Sequence, residues 1–389
     1  MLESPLFLTR VECPVCGTVN EYETIRVGAY TEGERETDFC PSYIRWRNPK
    51  YQKYHSLLFF AATCSQCLYT REFNAKFKEW SKDNHFRAYR LKVIKEKHLN
   101  DLNTEGALTK MIGAVLDQER YPDETAVLKL LLAIHDELLY DHPSDLDLGR
   151  FYLRIAWMFR HMQAGPLSSA SESAAGNHDD FEKAVSDMEI WLAGWRRNLE
   201  YLTAAGDTCF ESGGISAEVE ATLRDRFRVI QAKADELHQD GGRIISDLRT
   251  LSSDIRLAEN PGVEPDSGNA FHDYPDFQSF LTRLTSISTG IPRNEFEARR
   301  FAARYYKSAF ETGKEISHGN QSLQAAYLIA ELSRQIGDHD TARQYFNTTI
   351  KMGQEYINEI RGDRTRTALA RKILELALAQ GKQNLAQAK

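Results

Sequence analysis

At 389 residues, with 42% apolar and 27% charged residues, the chain has the length for two or three domains and the composition of a globular protein, not a fibrous or disordered one. No apolar run reaches the roughly 18 to 20 residues a membrane helix needs, so no membrane span is expected. The formal net charge of −7 is unevenly spread: thirteen Lys and Arg against four Asp and Glu leave Pro41 to His98 at +9.

Met1 to Arg10 lacks a basic segment followed by an apolar one, so no secretory signal is expected and the cytoplasm is the expected location. Six cysteines in that reducing setting read as metal ligands or buried thiols more readily than as disulfides.

The first four of chemical interest form Cys13-Pro14-Val15-Cys16 and Cys64-Ser65-Gln66-Cys67. β-prone runs surround them: Leu6 to Glu12, Tyr22 to Tyr30 and Tyr54 to Ala62. Two Cys-x-x-Cys turns at the ends of short strands predict a zinc-ribbon-like module with a structural zinc on Cys13, Cys16, Cys64 and Cys67. Gly17 suits the tight turn after the first pair, because it tolerates the required φ. About 47 residues separate the pairs, against a usual 15 to 20. Closing the longer loop costs only roughly 0.9 kcal/mol more, whereas structural zinc contributes on the order of 10 kcal/mol. Redox pairs or incidental buried thiols are the alternatives, but a redox pair would want a βαβ unit that the pattern lacks. Cys40 reads as a free thiol, with a fifth ligand as its other reading, and Cys209 as an ordinary residue of a helical region. His55 and His85 flank the module and are candidates to replace a thiolate.

The basic excess carries Lys50, Lys53, Arg71 and Arg90, with Trp46, Phe77, Trp80, Phe86 and Tyr89 interleaved. Cations with rings fit a nucleic-acid surface. Equally, a four-thiolate site favours nearby cations, and Phe73, Phe77 and Trp80 fall at the spacing of a helical packing face.

From about Asn103 the pattern turns helical. Asn103 or Thr104 is placed to cap a helix to Glu119, Pro122 opens another, and Ser144 caps a third through Leu153, Ile155 and Phe159. Tyr152-x-x-Ile155-Ala156-x-x-Phe159 fits the first helix of a tetratricopeptide-like repeat, and Ala302-x-x-x-Tyr306-x-x-Ala309 fits a second. Ile329-Ala330 with Gly337 to Phe346 reads as a further repeat, with Thr349 where a small residue is usual. The two halves of the first repeat lie about 130 residues apart, so the chain between them reads as an insertion. It is bounded by linker-like stretches at Gly165 to Gly176 and Glu259 to Asp276. Phe181, Val185, Met188, Leu192, Trp195, Leu199 and Leu202, answered by Val219 to Ile255 across a turn at Gly206 to Ser216, predict an antiparallel coiled-coil hairpin. A last helix from Arg364, with Leu369, Ile373, Leu374, Leu376 and Leu378, is expected to cap the stack.

The expected fold is therefore mainly α with a small β zinc-ribbon-like N-terminal module, helical repeats and an inserted hairpin. Its segments are 1–98 for the module, 99–164 for the first repeat part, 165–291 for the insertion with flexible flanks, and 292–389 for the second repeat part and capping helix.

The chain resembles the domain-of-unknown-function 2225 family of uncharacterised bacterial proteins. The likeness rests on Cys13-Pro14-Val15-Cys16-Gly17, on Asp38-Phe39-Cys40 with Tyr43 and Asn48-Pro49-x-Tyr51, and on Cys64-x-x-Cys67. It extends to Leu153 to Arg160 and Ala302 to Phe310, covering roughly Val11 to Arg160 and Phe296 to Lys351. The second turn departs from the pattern in lacking Pro and Gly. The resemblance implies a cytoplasmic bacterial protein with a zinc site and repeats, and it supplies no activity.

No Gly-rich phosphate loop, His-Glu-x-x-His or nucleophile elbow is present, and Asp145 and Asp147 read as helix-start acids. A closed four-cysteine site also leaves no open position for catalysis. The expectation is a non-enzymatic scaffold that takes protein partners through its repeats and hairpin, the hairpin also offering a route to a homodimer. A nucleic-acid-binding adaptor and an enzyme of unrecognised type are the alternatives.

Overall fold

Three antiparallel hairpins make up the N-terminal β structure. Strand β1 (Leu6–Glu12) pairs with β2 (Val19–Ile25), ending on Glu12 opposite Val19. Strand β3 (Tyr30–Glu32) pairs with β4 (Ile44–Trp46), and β5 (Ala61–Thr63) pairs with β6 (Thr70–Glu72), with Thr63 opposite Thr70. The turns of the first and last hairpins are the two Cys-x-x-Cys segments. In this computed structural model the described residues are 4–104, 106–164, 217–259, 270–360 and 364–387, with Val185, Met188, Leu192, Trp195, Leu199, Leu202, Thr203 and Gly206.

Two local expectations fail for identifiable reasons. The β-prone run from Tyr54 is a 3-10 turn over Ser56–Phe59, because His55 Nδ1 accepts the Leu57 N–H at 3.1 Å and Leu58 is drawn fully inside. No helix spans Thr104 to Glu119. Helix α2 already occupies Leu91–Asn103, Gly106 turns left-handed at φ +72°, and only Leu108–Gly113 (α3) is helical thereafter. Asp117 then takes the amides of Glu119 and Arg120 at 3.1 and 3.0 Å, which fixes a turn instead.

Ahead of α2 stands the single turn α1 (Ala75–Lys78). Helix α4 (Pro122–Leu138) opens with proline at its first position, where the missing N–H costs nothing. Helix α5 (Asp145–Ala164) is capped by Ser144, whose Oγ accepts the Asp147 N–H at 3.1 Å. The chain is thus mainly α, with a small β module at its N-terminal end.

Beyond residue 269 come α7 (Phe277–Thr285), α8 (Glu295–Thr312), α9 (Asn320–Gln335), α10 (His339–Glu359) and α11 (Arg364–Gln387). Helix α8 lies along α5, and from there each helix packs on the next, with α11 also touching α9. Small residues permit this closeness: Ala302 and Ala309 are fully buried, and a Cβ on Gly149 would stand 3.1 Å from the Tyr306 ring. Thr349 fits in its buried place by returning its hydroxyl to the Tyr345 carbonyl at 2.8 Å. One apolar core runs from Leu58 through α3, α4, α5 and α7 to α11, and Phe271, Phe277 and Phe280 belong to it. On α11 the buried face is Ala370, Ile373 and Ala377, while Leu369 and Leu378 stay exposed.

The chain divides into two compact units, Met1–Pro166 with Asn269–Lys389, and Leu167–Gly268. In the second, α6 (Ala217–Glu259) is faced by the eight described helical residues between Val185 and Gly206. Their contacts run antiparallel. A Cβ on Gly206 would meet the Phe227 ring, Gln231 donates to the Thr203 hydroxyl at 2.9 Å, and Leu192 lies against Gly241. The expected linker at 165–176, most of the expected turn at 206–216, Cys209 and residues 260–269 lie outside the described residues.

Candidate metal centre

The two cysteine turns are built alike. In the first, Gly17 N–H bonds to the Cys13 carbonyl at 2.9 Å and Cys13 N–H to Thr18 at 2.8 Å. In the second, Leu68 N–H bonds to Cys64 and Cys64 N–H to Tyr69, each at 2.9 Å. Both turns need a left-handed residue after the second cysteine: Gly17 has φ +79° and Leu68 has φ +65°. Leucine adopts this conformation at a cost of roughly 1–2 kcal/mol. It is held there because its side chain fills the space over Gly113, where an added Cβ would sit 2.1 Å from Leu68 Cδ1.

The turns bring together the four sulfurs named from the sequence. The Sγ atoms of Cys13, Cys16, Cys64 and Cys67 all lie within 4.8 Å of one another, and all but Cys16 are buried. Cys13 and Cys67 stand 3.7 Å apart, and Cys16 and Cys64 3.5 Å. A tetrahedron with metal–sulfur bonds of about 2.3 Å has edges of about 3.8 Å, so these four could hold a metal ion. The separations also exceed the roughly 2.05 Å of a disulfide. Cys40 is not in the group: its buried thiol faces the Pro41 carbonyl at 3.6 Å, and burial pushes its pKa up to about 12. His55 and His85 are not in it either. The His55 ring lies tilted beside His161, centroids 4.8 Å apart, and the His85 ring beside Tyr89 at 5.2 Å.

Electrostatics explain why this cluster wants a cation. Its hydrogen bond to Cys64, and then burial, hold the Cys13 thiol up to about 12. The same sharing with Cys13 and Cys67 pulls Cys64 well below the ordinary thiol range. Thiolates this close repel one another, and a bound cation would offset that repulsion.

Three residues that sequence reasoning missed surround the sulfurs. Asn20 is buried and bridges the turns: its Nδ2 lies 3.5 Å from Cys64 Sγ and donates to the Thr18 carbonyl at 3.0 Å, while its Oδ1 accepts from Ser65 N and Oγ at 2.9 and 2.8 Å. His98 and Asp136 come from α2 and α4. The Cys67 carbonyl lies 2.7 Å from His98 Nε2, which must carry the proton because a carbonyl only accepts. Nδ1 meets Asp136 Oδ1 at 2.6 Å, and Asp136 Oδ2 accepts the Thr70 N–H at 2.6 Å. Burial alone would lower the His98 pKa, but the hydrogen bond and charge of Asp136 prevail and raise it. That pair pins the C-terminal side of the second turn, Cys67 to Thr70, to the helices. No local spacing links Asn20, His98 and Asp136, so no sequence pattern singles them out.

Much of the basic stretch is engaged internally. Lys53 pairs with Glu119 at 3.0 Å, Arg90 with Glu137 at 2.6 Å and Lys97 with Asp141 at 2.7 Å. Arg71 lies over the Phe86 ring and Lys78 over Phe73. Phe77 and Phe86 are buried in one cluster with the cysteines, and Phe73 and Trp80 pack against it. His135 is half-buried and meets Asp101 at 3.1 Å, and Asp147 pairs with Arg150 at 3.0 Å.

A family model described as "Uncharacterized protein conserved in bacteria (DUF2225)" matches residues 6–190 and 290–369, which include all four cysteines, α5 and α8. No curated protein and no solved structure matches the chain. With the match extending over more than half of its length, the chain belongs to the DUF2225 family.

Proposed function

We propose that the protein is a non-enzymatic cytoplasmic interaction scaffold in which a structural zinc clamps the N-terminal module to the helical body. The observation carrying this reading is the closed group of four sulfurs, tied to α2 and α4 through His98 and Asp136. Zinc fits four thiolates better than the oxygen-preferring divalent ions do. Four ligands leave no open position for a reacting water, which favours a structural over a catalytic metal.

The helical stack is the natural partner surface, read as tetratricopeptide-like, and the hairpin read as a coiled coil is the second. Leu223, Ile230, Leu237, Ile244 and Leu251 recur every seventh residue on α6 and are all exposed, the pattern of a helix that pairs again, as in a homodimer. The internal pairing of Lys53, Arg90 and Lys97 weighs against the nucleic-acid reading.

The test compares the full chain with one lacking 167–268, a deletion that spares the core residue Phe271. Partners captured by the full chain, retained after RNase and lost on deletion, support the scaffold. Capture that RNase abolishes contradicts it.

A further inference from the structure

A cavity of about 600 Å³ in the main unit lies apart from the cysteine group, where the β3–β4 hairpin and the Ser56–Phe59 turn face α5, α8 and α9. That volume is typical of small-molecule sites. Phe39, Phe59, Phe60, Leu153, Trp157 and Leu328 contribute apolar wall.

Three arginines line it, and they differ in one respect. Arg35 pairs with Glu32 at 3.1 Å, and Arg150 with Glu72 and Asp147 at 2.8 and 3.0 Å. Arg154 has no carboxylate partner among the described residues. Its Nη1 donates to the Arg150 carbonyl at 2.9 Å, and its guanidinium lies 4.2 Å from the Phe60 ring centroid. Burial, and then the charge of Arg150, hold its pKa below the ordinary guanidinium value. A desolvated cation without a counter-ion is costly to keep.

Neutral donors stand beside it. Trp157 is one turn along α5, and its indole N–H is buried with no hydrogen-bond partner. Tyr306 reaches the same wall from α8, and its hydroxyl bonds to no other described residue. A buried indole N–H left without a partner on a cavity wall is a usual mark of a ligand's place.

We propose that this cavity binds a small organic monocarboxylate with an aromatic or branched apolar body, its acid group paired with Arg154. One unpaired guanidinium neutralises one charge. A phosphate monoester, with about −1.5 to −2 at neutral pH, would bring more charge than that one guanidinium offsets. The Tyr306 hydroxyl supplies a hydrogen bond to the carboxylate, and the Phe60 and Trp157 rings flank the body.

Isothermal titration calorimetry on the full chain tests this with phenylacetate, indole-3-acetate and 4-methylpentanoate as probes, against phenylacetamide and phenyl phosphate. At least one carboxylate is expected to bind with a Kd under about 1 mM, and its neutral amide and the phosphate at least about tenfold more weakly. Arg154→Met is expected to lose at least about tenfold for the acid and little for the amide, and Tyr306→Phe to weaken the acid several-fold. The proposal is overturned if no carboxylate binds the wild-type protein, if the amide binds as well as the acid, or if folded Arg154→Met binds the acid unchanged. Should Arg154→Met fail to fold, the acid–amide comparison on wild type decides. Neither zinc nor partner capture enters the measurement, so its failure is separate from failure of the scaffold reading.

Discussion

Arg160 on α5 grips the fully buried Asp38 through two nitrogens, Nη2 to Oδ2 at 2.5 Å and Nη1 to Oδ1 at 3.2 Å. The same guanidinium reaches Glu295 of α8 through Nε at 2.6 Å and also meets Glu36. Around it, Tyr327 of α9 donates to the Thr37 carbonyl at 2.8 Å, and Phe39 is held left-handed at φ +67° against the Tyr327 ring. The Asp38-Phe39-Cys40 motif is therefore a latch onto three helices, not part of the metal site. Removing the cation strands a buried carboxylate, so Arg160→Met should cost about 3–5 kcal/mol in urea unfolding. Arg160→Lys, which keeps the charge but not the planar fork, should recover less than half of that loss. A loss under about 1 kcal/mol for Arg160→Met would show that the latch is marginal.

His98 acts on the metal site at one remove, by fixing the Cys67 carbonyl from α2. In His98→Asn the reach to both Cys67 and Asp136 is lost. Groups that orient metal ligands typically account for 10- to 100-fold in affinity. Competition with a chromogenic chelator should reveal a drop of about that size with one metal still bound. An unchanged affinity would leave His98 a mere packing residue.

The second turn depends on Leu68 being wedged over Gly113. Gly113→Ala places a methyl 2.1 Å from Leu68 Cδ1, and the leucine must leave or the turn must open. Thermal unfolding should fall by several degrees, equivalent to about 1–3 kcal/mol. Adding Leu68→Gly should restore part of it, since glycine takes the left-handed φ without strain.

Half-buried His55 has its pKa pushed down to about 3 by burial and then by the charge of His161. The unfolded chain binds that proton near pH 6.5, so between about 6.5 and 3 the unfolded state gains protons that the folded state refuses. Stability contributed here is present above pH 6.5 and lost as pH falls. At pH 5 the loss is about 2 kcal/mol. His55→Asn keeps an acceptor for the Leu57 N–H and should shed that acid sensitivity, narrowing the urea-midpoint difference between pH 7.5 and pH 5. Asp123, pushed up to about 6 by burial, titrates in both proteins and drops out of the comparison.

Signals carried by neighbours in sequence were readable in advance. The paired cysteines at hairpin ends, Pro122 and Ser144 at helix starts, and the small residues that let α8 approach α5 are all local patterns with one physical meaning. Signals carried by distant partners were not. His98 and Asp136 lie 38 residues apart, and Asp38 and Arg160 122 apart, and no periodicity links either pair. The Thr104 to Glu119 segment misled because its apolar spacing looked helical while Gly106 and Asp117 dictated turns. Leu68 shows the opposite effect: tertiary packing imposes a backbone conformation that its own side chain disfavours.

The most direct test of the clamp is elemental analysis by mass spectrometry of the purified full chain, paired with its thermal unfolding before and after chelation. One zinc per chain is expected, with chelation lowering the transition by more than about 10 °C and Cys16→Ser reproducing the loss. Protein that is free of stoichiometric zinc, and whose unfolding neither chelation nor Cys16→Ser alters, would contradict it.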